Sequence, residues 1–294
     1  MALNGRDLSP LEPLVHKLEG TSELDAPATL LSRAVRGLLE PGAVKDALSG
    51  TWLGHALHPM LTDVVIGSFL SATALDLLTG EEGDVASRRL IALGLAAFPP
   101  TALSGASDWI DAEVDDRVKR VGIVHAAGNW LTAALYATSL AARRAGARRR
   151  GVLIGFLGAG TLLTGGYLGG HLSMRRAIGP DQTAYDPGPD DWTSAEATSS
   201  LVEGQPTRVV VDDTPVLLLK TGEQIYAIHD RCSHRGCSLS EGEIEGHEVV
   251  CGCHFSRFDI RDGAVRKGPA TAPQPAFDVR QSNGMVEIRR RPEA

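Results

Sequence analysis

Cysteine is scarce in this chain of 294 residues, and all four cysteines lie between positions 232 and 253. So narrow a window excludes a disulfide framework spread through the fold and points to one local site. Basic excess is missing too. With a formal net charge of −7, the chain offers no positive face to a phosphate backbone, so a nucleic-acid partner is excluded. Aromatic residues make up only 5%. The N-terminus, Met1-Ala2-Leu3-Asn4-Gly5-Arg6-Asp7, lacks a basic-then-apolar signal pattern, and no twin-Arg signal precedes the first hydrophobic span, so no cleaved leader is expected.

What is present is 43% hydrophobic and 22% charged residues with 33 glycines, a globular composition of about two domains. The apolar residues concentrate in the first 175 positions. Residues 1–52 are mixed. Leu30–Leu39 spaces its apolar residues at helical period around Arg33 and Arg36, which predicts a surface or interfacial amphipathic helix.

Residues 53–174 hold four apolar stretches, at 57–78, 90–107, 121–142 and 151–174, and the last three contain no Asp, Glu, Lys or Arg. Segments of this length cross a hydrocarbon core of roughly 30 Å. Pro59 sits at a helix start. Pro99 and Pro100 would break a soluble helix but are tolerated in a membrane bundle. The fourth stretch is rich in glycine, as close helix approach in lipid requires. A buried soluble bundle would show polar faces at period 3.6, which these segments lack. Short connections make neighbouring helices antiparallel, so the expectation is an all-α four-helix transmembrane bundle with up-down topology.

Following that topology, His55, His58, His125 and His171 fall at one membrane face, with Asp63 little more than a turn deeper than His58. Ionisable residues in a span point to function. Several readings stay open: haem b ligated by two imidazoles, a quinone or proton-handling site, another metal with Asp63 as third ligand, or a structural role.

Residues 175–191 read as a linker of turn chemistry, including Asp186-Pro187-Gly188-Pro189. Residues 192–294 then read as a small all-β domain. Short strands are predicted at 208–212, 215–220, 224–228, 258–261, 276–280 and 284–289, with Gly263 and Gly284 marking hairpin turns.

In this domain, Cys232-Ser233-His234 and Cys251-Gly252-Cys253-His254 form two ligand pairs, with sixteen residues between His234 and Cys251. Two thiolates on one iron and two imidazoles on the other make a Rieske [2Fe–2S] centre. Structural zinc sites usually space paired ligands by two or more residues, so the tight Cys-x-His pair argues against zinc.

From these motifs the domain resembles the Rieske family over about 100 residues, with Gly268-Pro269-Ala270 similar to the proline loop that covers the cluster. The resemblance implies Cys232, His234, Cys251 and His254 as ligands. It implies a disulfide between Cys237 and Cys253, as in the quinol-oxidising cytochrome bc type. Two free thiols are the alternative, since many Rieske ferredoxins lack Cys at these positions. Ser256 matches the position whose hydroxyl donates to a bridging sulfide, whereas Phe258 stands where high-potential members have Tyr. That combination implies a potential between the ferredoxin and high-potential types. Arg235 replaces a common Leu and puts quinol docking on this loop in doubt.

Residues 53–63 and 120–125 resemble a family of uncharacterised four-helix bacterial membrane proteins, found alone or fused to a Rieske domain. That resemblance implies the span count and the fusion, not a reaction. The loops 80–89 and 143–150 carry seven Arg against six basic residues on the other face. Positive-inside counting then sets the β domain on the extracytoplasmic side of the plasma membrane. A disulfide agrees with that side.

The sequence thus leads to a membrane-anchored electron carrier in contact with lipid, exchanging electrons with haem, quinone or a redox partner protein. The alternatives are a quinol-oxidising oxidoreductase complete in one chain and a redox-sensing membrane protein. A terminal oxygenase is not expected, because no mononuclear iron domain follows.

Overall fold

The computed structural model describes residues 11–112 and 115–291. The first ten positions of the N-terminal segment read as amphipathic lie outside the described residues. The chain forms two compact units. One is helical and comprises residues 11–38 and 57–178; the other contains residues 39–56 and 179–291.

Among the described residues the helical unit contains α1 (Glu12–Gly20), α2 (Asp25–Leu38), α4 (Leu57–Leu78), α5 (Asp84–Ile110), α6 (Asp116–Arg144) and α7 (Arg148–Gly170), followed by a π turn at His171–Arg175. The short α3 (Ala43–Ser49) belongs to the other unit. Helix α4 begins with Pro59 in its first turn, where a missing amide costs nothing. The Asp115 side chain caps α6 by accepting from the Arg117 amide at 2.9 Å. Helix α5 continues through Pro99 and Pro100. There the two prolines leave the Leu95 and Ala96 carbonyls without their usual amide partners, and the Thr101 hydroxyl donates back to the next carbonyl, that of Ala97, at 2.7 Å.

The core of this unit is built around Phe69 and Tyr136, whose rings stack with centroids 4.0 Å apart. A Cβ at Gly94 would lie 2.5 Å from the Phe69 ring, so only glycine lets α5 approach α4 this closely. Arg143 ties one end. Its fully buried guanidinium pairs with Asp76 of α4 and with Asp84 of α5 at 3.0 Å. Elsewhere the Arg120 fork grips the Asp25 carboxylate at 2.6 and 2.7 Å and reaches the Glu19 carbonyl at 2.6 Å, docking α1 and α2 on α6.

Polarity is inverted relative to a soluble bundle. Ser68, Ser87, Ser104, Ser107 and Ser139 are buried, while Leu77, Leu78, Leu93, Leu103, Leu153, Leu157 and Leu163 face outward. Helices α4, α5 and the span Arg148–Arg175 are long and apolar enough to cross a membrane by length and composition. Helix α6 does not reach that hydropathy, because His125, Asn129, Thr132, Tyr136, Thr138 and Ser139 interrupt its apolar residues. Absence of formal charge alone had suggested a fourth span. Helix α2 covers most of the stretch read as a surface or interfacial amphipathic helix; Ala28 and Ser32 are buried in it, whereas Leu30 and Leu38 are exposed.

The second unit is β-rich. Its strands are β1 (Thr193–Ala197), β2 (Pro206–Val211), β3 (Thr214–Thr221), β4 (Gln224–His229), β5 (Glu243–Glu245), β6 (Glu248–Val250), β7 (Arg257–Asp259), β8 (Val265–Lys267), β9 (Phe277–Ser282) and β10 (Met285–Arg290). They form three antiparallel sheets, ordered β1-β10-β9, β2-β3-β4 and β5-β6-β7-β8. The β2–β3 and β9–β10 hairpins close through the residue pairs Asp212-Asp213 and Asn283-Gly284, all four at positive φ, which two-residue primed turns demand. The predicted strands coincide with β2–β4, β7, β9 and β10 to within a few residues. β1, β5, β6 and β8 had no clear alternation to announce them.

Candidate metal centre

Two loops of the β unit carry the predicted ligands. One follows β4; the other joins β6 to β7. They are built alike. The Cys232 amide donates to the Cys237 carbonyl at 2.8 Å, and the Cys251 amide donates to the Ser256 carbonyl at 2.9 Å. Each loop turns four residues after its first cysteine at a positive φ, at Gly236 (77°) and Phe255 (65°). Glycine takes that conformation freely; Phe255 takes it against its Cβ.

These turns bring the four residues together. Cys232 and Cys251 are buried and hydrogen-bond each other through their thiols. The His234 and His254 rings lie edge to face with centroids 5.1 Å apart and are only partly buried. Cys237 and Cys253 are joined as a disulfide with their Cα atoms 6.6 Å apart, so the loops are also linked covalently. The Cys251 sulfur lies within 4.8 Å of both disulfide sulfurs, but those two have no thiolate to offer.

Electrostatics prepare the donors. The two thiols titrate as a pair. The hydrogen bond from Cys232 pulls Cys251 down to about 6. The same bond, with burial, pushes Cys232 well up. One thiolate is therefore ready near neutral pH. Burial, then the neighbouring charges of His254, Arg235 and Lys45, holds the His234 imidazole well below its ordinary range, so it stays in the neutral form that ligates metal. Two thiols and two neutral imidazoles, facing one another from covalently tied loops, fit an iron–sulfur cluster with mixed ligation.

The surroundings hold the loops in place. The Ser256 hydroxyl oxygen accepts the Ala270 amide at 3.0 Å, and the Gly268–Pro269 peptide beside it is cis. Phe258 is fully buried with Leu217, Ile228, Leu239, Val249 and Ile260 around the ligand cysteines. Two residues that sequence reasoning missed are central. Gln274 accepts the Ser233 amide at 2.8 Å and donates to the His229 and Arg231 carbonyls, each at 2.9 Å. Asp230 accepts from the Ser240 amide at 2.7 Å and from the Ser238 hydroxyl at 2.6 Å. Asp230 lies two positions before the candidate ligand Cys232, a weak signal. Gln274, between two prolines in a loop rich in proline and alanine, gives none.

The histidines of the helical unit do not form one group. His171 Nε2 lies 2.9 Å from Glu19 Oε1, a carboxylate oxygen that also takes Arg176 at 2.9 Å from Nε. Asp63 is exposed. Five residues from His58, it projects about 140° away around α4, so it does not complete a ligand set with His58. His55 is exposed and lies in segment 39–56 of the β unit. His58 and His125, by contrast, each bond a backbone carbonyl of a neighbouring helix. The His58 Nδ1–H donates to the Thr101 carbonyl at 3.0 Å. The His125 Nδ1–H donates to the Gly165 carbonyl at 2.9 Å, and its Nε2 accepts from the Asn129 amide at 2.9 Å. A Cβ at Gly105 would lie 2.5 Å from the His58 ring, and one at Gly169 3.0 Å from the His125 ring.

A three-sheet β fold that presents paired Cys and His from two loops defines an iron–sulfur protein of the Rieske class. Through residues 191–278 the chain belongs to the Rieske [2Fe-2S] domain family, and residues 54–182 match the family described as "Predicted membrane protein (DUF2231)". A Rieske domain implies a [2Fe–2S] cluster as cofactor. The β unit is 34% identical to the anthranilate 1,2-dioxygenase ferredoxin subunit of Burkholderia cepacia, over 33% of this chain and 91% of that protein. It is 32% identical to the ferredoxin component of the naphthalene 1,2-dioxygenase system of Pseudomonas putida, over 33% of this chain and 93% of that protein. Among solved structures, the ferredoxin of carbazole 1,9a-dioxygenase from Nocardioides aromaticivorans IC177 aligns at 29% identity over 35% of this chain and all of that one, with a TM-score of 0.33. The β unit is thus that of a Rieske ferredoxin-like electron carrier.

Proposed function

We propose that the chain is a membrane-anchored one-electron carrier in which Cys232 and Cys251 hold one iron and His234 and His254 the other. The observation that carries this reading is the paired-loop geometry, with thiols buried and imidazoles toward the surface. Such an arrangement keeps the sulfur ligands dry and gives a partner access to the histidine side. The [2Fe–2S] cluster supplies the one-electron step when bound. The disulfide and the bonds from Gln274 and Asp230 keep the ligand loops from reorganising, which favours fast transfer.

The relatives are ferredoxin components of dioxygenase systems, which favours delivery to a separate redox protein over a quinol-oxidising enzyme complete in one chain. The outward leucines of the long helices and the DUF2231 match support helices α4–α7 as a four-span anchor in lipid. The arginine balance of the loops favours an extracytoplasmic β unit. For the helical unit we propose a quinone or haem b site at His58 and His125. Support comes from His58, whose Nδ1–H donates to the Thr101 carbonyl as ligating imidazoles usually do; at His125 the Asn129 amide occupies Nε2, which favours a quinone or proton-handling role there over haem ligation.

The test is spectroscopy of the full chain purified in detergent. A Rieske-type EPR signal on reduction, abolished in His234→Ala without loss of the protein, is expected. Fully metallated protein without that signal refutes the carrier reading. A Soret band lost in His58→Ala and His125→Ala, with the Rieske signal intact, is expected for haem; a band unchanged by both variants removes haem from these residues.

A further inference from the structure

The helical unit repeats itself. A shift of 67 positions carries Phe69 of α4 onto Tyr136 of α6 and Asp76 onto Arg143, and it carries His58 onto His125. A shift of 64 positions carries Gly94 of α5 onto Gly158 of α7 and Gly105 onto Gly169. The contacts repeat with the positions. A Cβ at Gly94 would lie 2.5 Å from the Phe69 ring, and one at Gly158 2.9 Å from the Tyr136 ring. The His58 Nδ1–H bonds the carbonyl four residues before Gly105, and the His125 Nδ1–H bonds the carbonyl four residues before Gly169. Each imidazole then lies against that glycine. The hairpins α4–α5 and α6–α7 are thus two versions of one unit.

Equivalent residues of two copies meet each other only beside the axis that relates them. Phe69 stacks on Tyr136 with centroids 4.0 Å apart, and Asp76 pairs with Arg143, so both pairs straddle a pseudo-two-fold axis between α4 and α6. His58 lies eleven residues before Phe69, and His125 eleven before Tyr136, which is three turns and about 20°. The two imidazoles therefore form a further layer on the same inward faces. The repeat is broken there at one contact. The Asn129 amide donates to His125 Nε2 at 2.9 Å. Thr62 stands at the matching place in α4, but its hydroxyl donates to the His58 carbonyl at 2.5 Å. Among the described residues nothing bonds His58 Nε2, and the residue is only half-buried. With Nδ1–H committed to the Thr101 carbonyl, the neutral ring offers Nε2 as an acceptor.

A ligand for that atom must bring a hydrogen, because an acceptor would face an acceptor. It must be flat to share a layer whose rings are laid on glycine. It must dissolve in lipid, since α4 is long and apolar enough to cross a membrane. A para-hydroquinone has all three properties. Resting on the quinone reading of these residues, we propose that the duplicated hairpins hold a hydroquinone head at the His58–His125 layer, with one hydroxyl donating to His58 Nε2. The site therefore selects the reduced, hydrogen-bearing head. The step is binding alone; no electron or covalent bond moves.

The probes are trimethylhydroquinone and its dimethyl ether, which keeps the ring but has no hydroxyl hydrogen. Binding to the full chain in detergent is measured by equilibrium dialysis under nitrogen with excess dithionite, so that probe and chain stay reduced. The hydroquinone is expected to bind on the order of tenfold tighter than the ether, as one hydrogen bond to an open acceptor allows. His58→Phe keeps a flat ring and removes the acceptor. It is expected to bring the hydroquinone down to the affinity of the ether and to leave the ether unchanged. Asn129→Thr gives the second hairpin the residue of the first and frees His125 Nε2 for the other hydroxyl, so it is expected to tighten the hydroquinone and not the ether. Equal affinity of the two probes for the parent chain overturns the proposal while leaving a quinone site. Hydroquinone affinity unchanged in His58→Phe overturns it too. If that variant does not fold, unchanged hydroquinone affinity in Asn129→Thr overturns it. A parent chain that binds neither probe refutes both the proposal and the quinone reading, and leaves the iron–sulfur carrier reading standing.

Discussion

Ser256 Oγ accepts the amide of Ala270 at 3.0 Å, which leaves the hydroxyl proton free to donate elsewhere. A serine in this place can bond the proline loop with its lone pair and a cluster sulfide with its hydrogen. Because a hydrogen bond to sulfur favours the more negative reduced state, Ser256→Ala is expected to lower the midpoint potential by about 60 mV, one tenfold step of a one-electron couple. Phe258→Tyr, at the buried neighbouring position, is expected to move it upward. Redox titration of both checks this, and equal potentials in all three chains would remove hydroxyl donation as the tuning device.

The disulfide spans 16 positions between two loops that must stay in register. A crosslink closing a loop of about 15 residues contributes on the order of 3 kcal/mol. Replacing both Cys237 and Cys253 with Ser is expected to cost the β unit about that much. Urea unfolding followed through the cluster's visible circular dichroism measures it. A change below about 0.5 kcal/mol would show that Gln274 and Asp230 already fix the loops without the bond.

His229 is fully buried at the end of β4. Burial holds its imidazole below the ordinary value, against the opposing pull of Asp186 at 3.1 Å. The unfolded chain therefore takes up this proton at about pH 6.5, while the folded chain waits for a lower pH. Below pH 6.5 the unfolded state binds more protons, so the stability present at higher pH is lost as the pH falls. Melting of the β unit is expected to drop between pH 7.5 and 5.5, and the drop should shrink in His229→Gln. An identical pH profile in the variant would assign the loss to other groups.

How much of this was legible beforehand follows from distance along the chain. The candidate ligand set announces itself because cysteine and histidine within one loop are read at spacings of two to three residues. The hairpin turns are equally local: Asn283-Gly284 needs no tertiary knowledge. Gln274 is opaque because its three bonds go to residues more than forty positions away, and nothing in a polar side chain says which carbonyl it will meet. In the helices, the absence of charge was a sound guide to length but not to polarity. The residues that lower the hydropathy of α6 include His125, Asn129, Thr132 and Tyr136, all committed to partners on neighbouring turns or helices. The membrane histidines illustrate the opposite error. Alignment at one end of an up-down bundle placed four at a common level, but level is not azimuth, and His171 spends its imidazole on Glu19.

Residues 39–56, which belong to the β unit, bear on what counts as a module here. The chain passes between the two units three times, not once. A fragment excised at the linker near residue 179 would carry every ligand and yet leave part of its own fold behind with the helices. Exchange of the iron–sulfur module between proteins by simple end-to-end joining would thus transmit the two cysteine-histidine loops but not Thr51, whose hydroxyl donates to the Ala270 carbonyl at 3.2 Å.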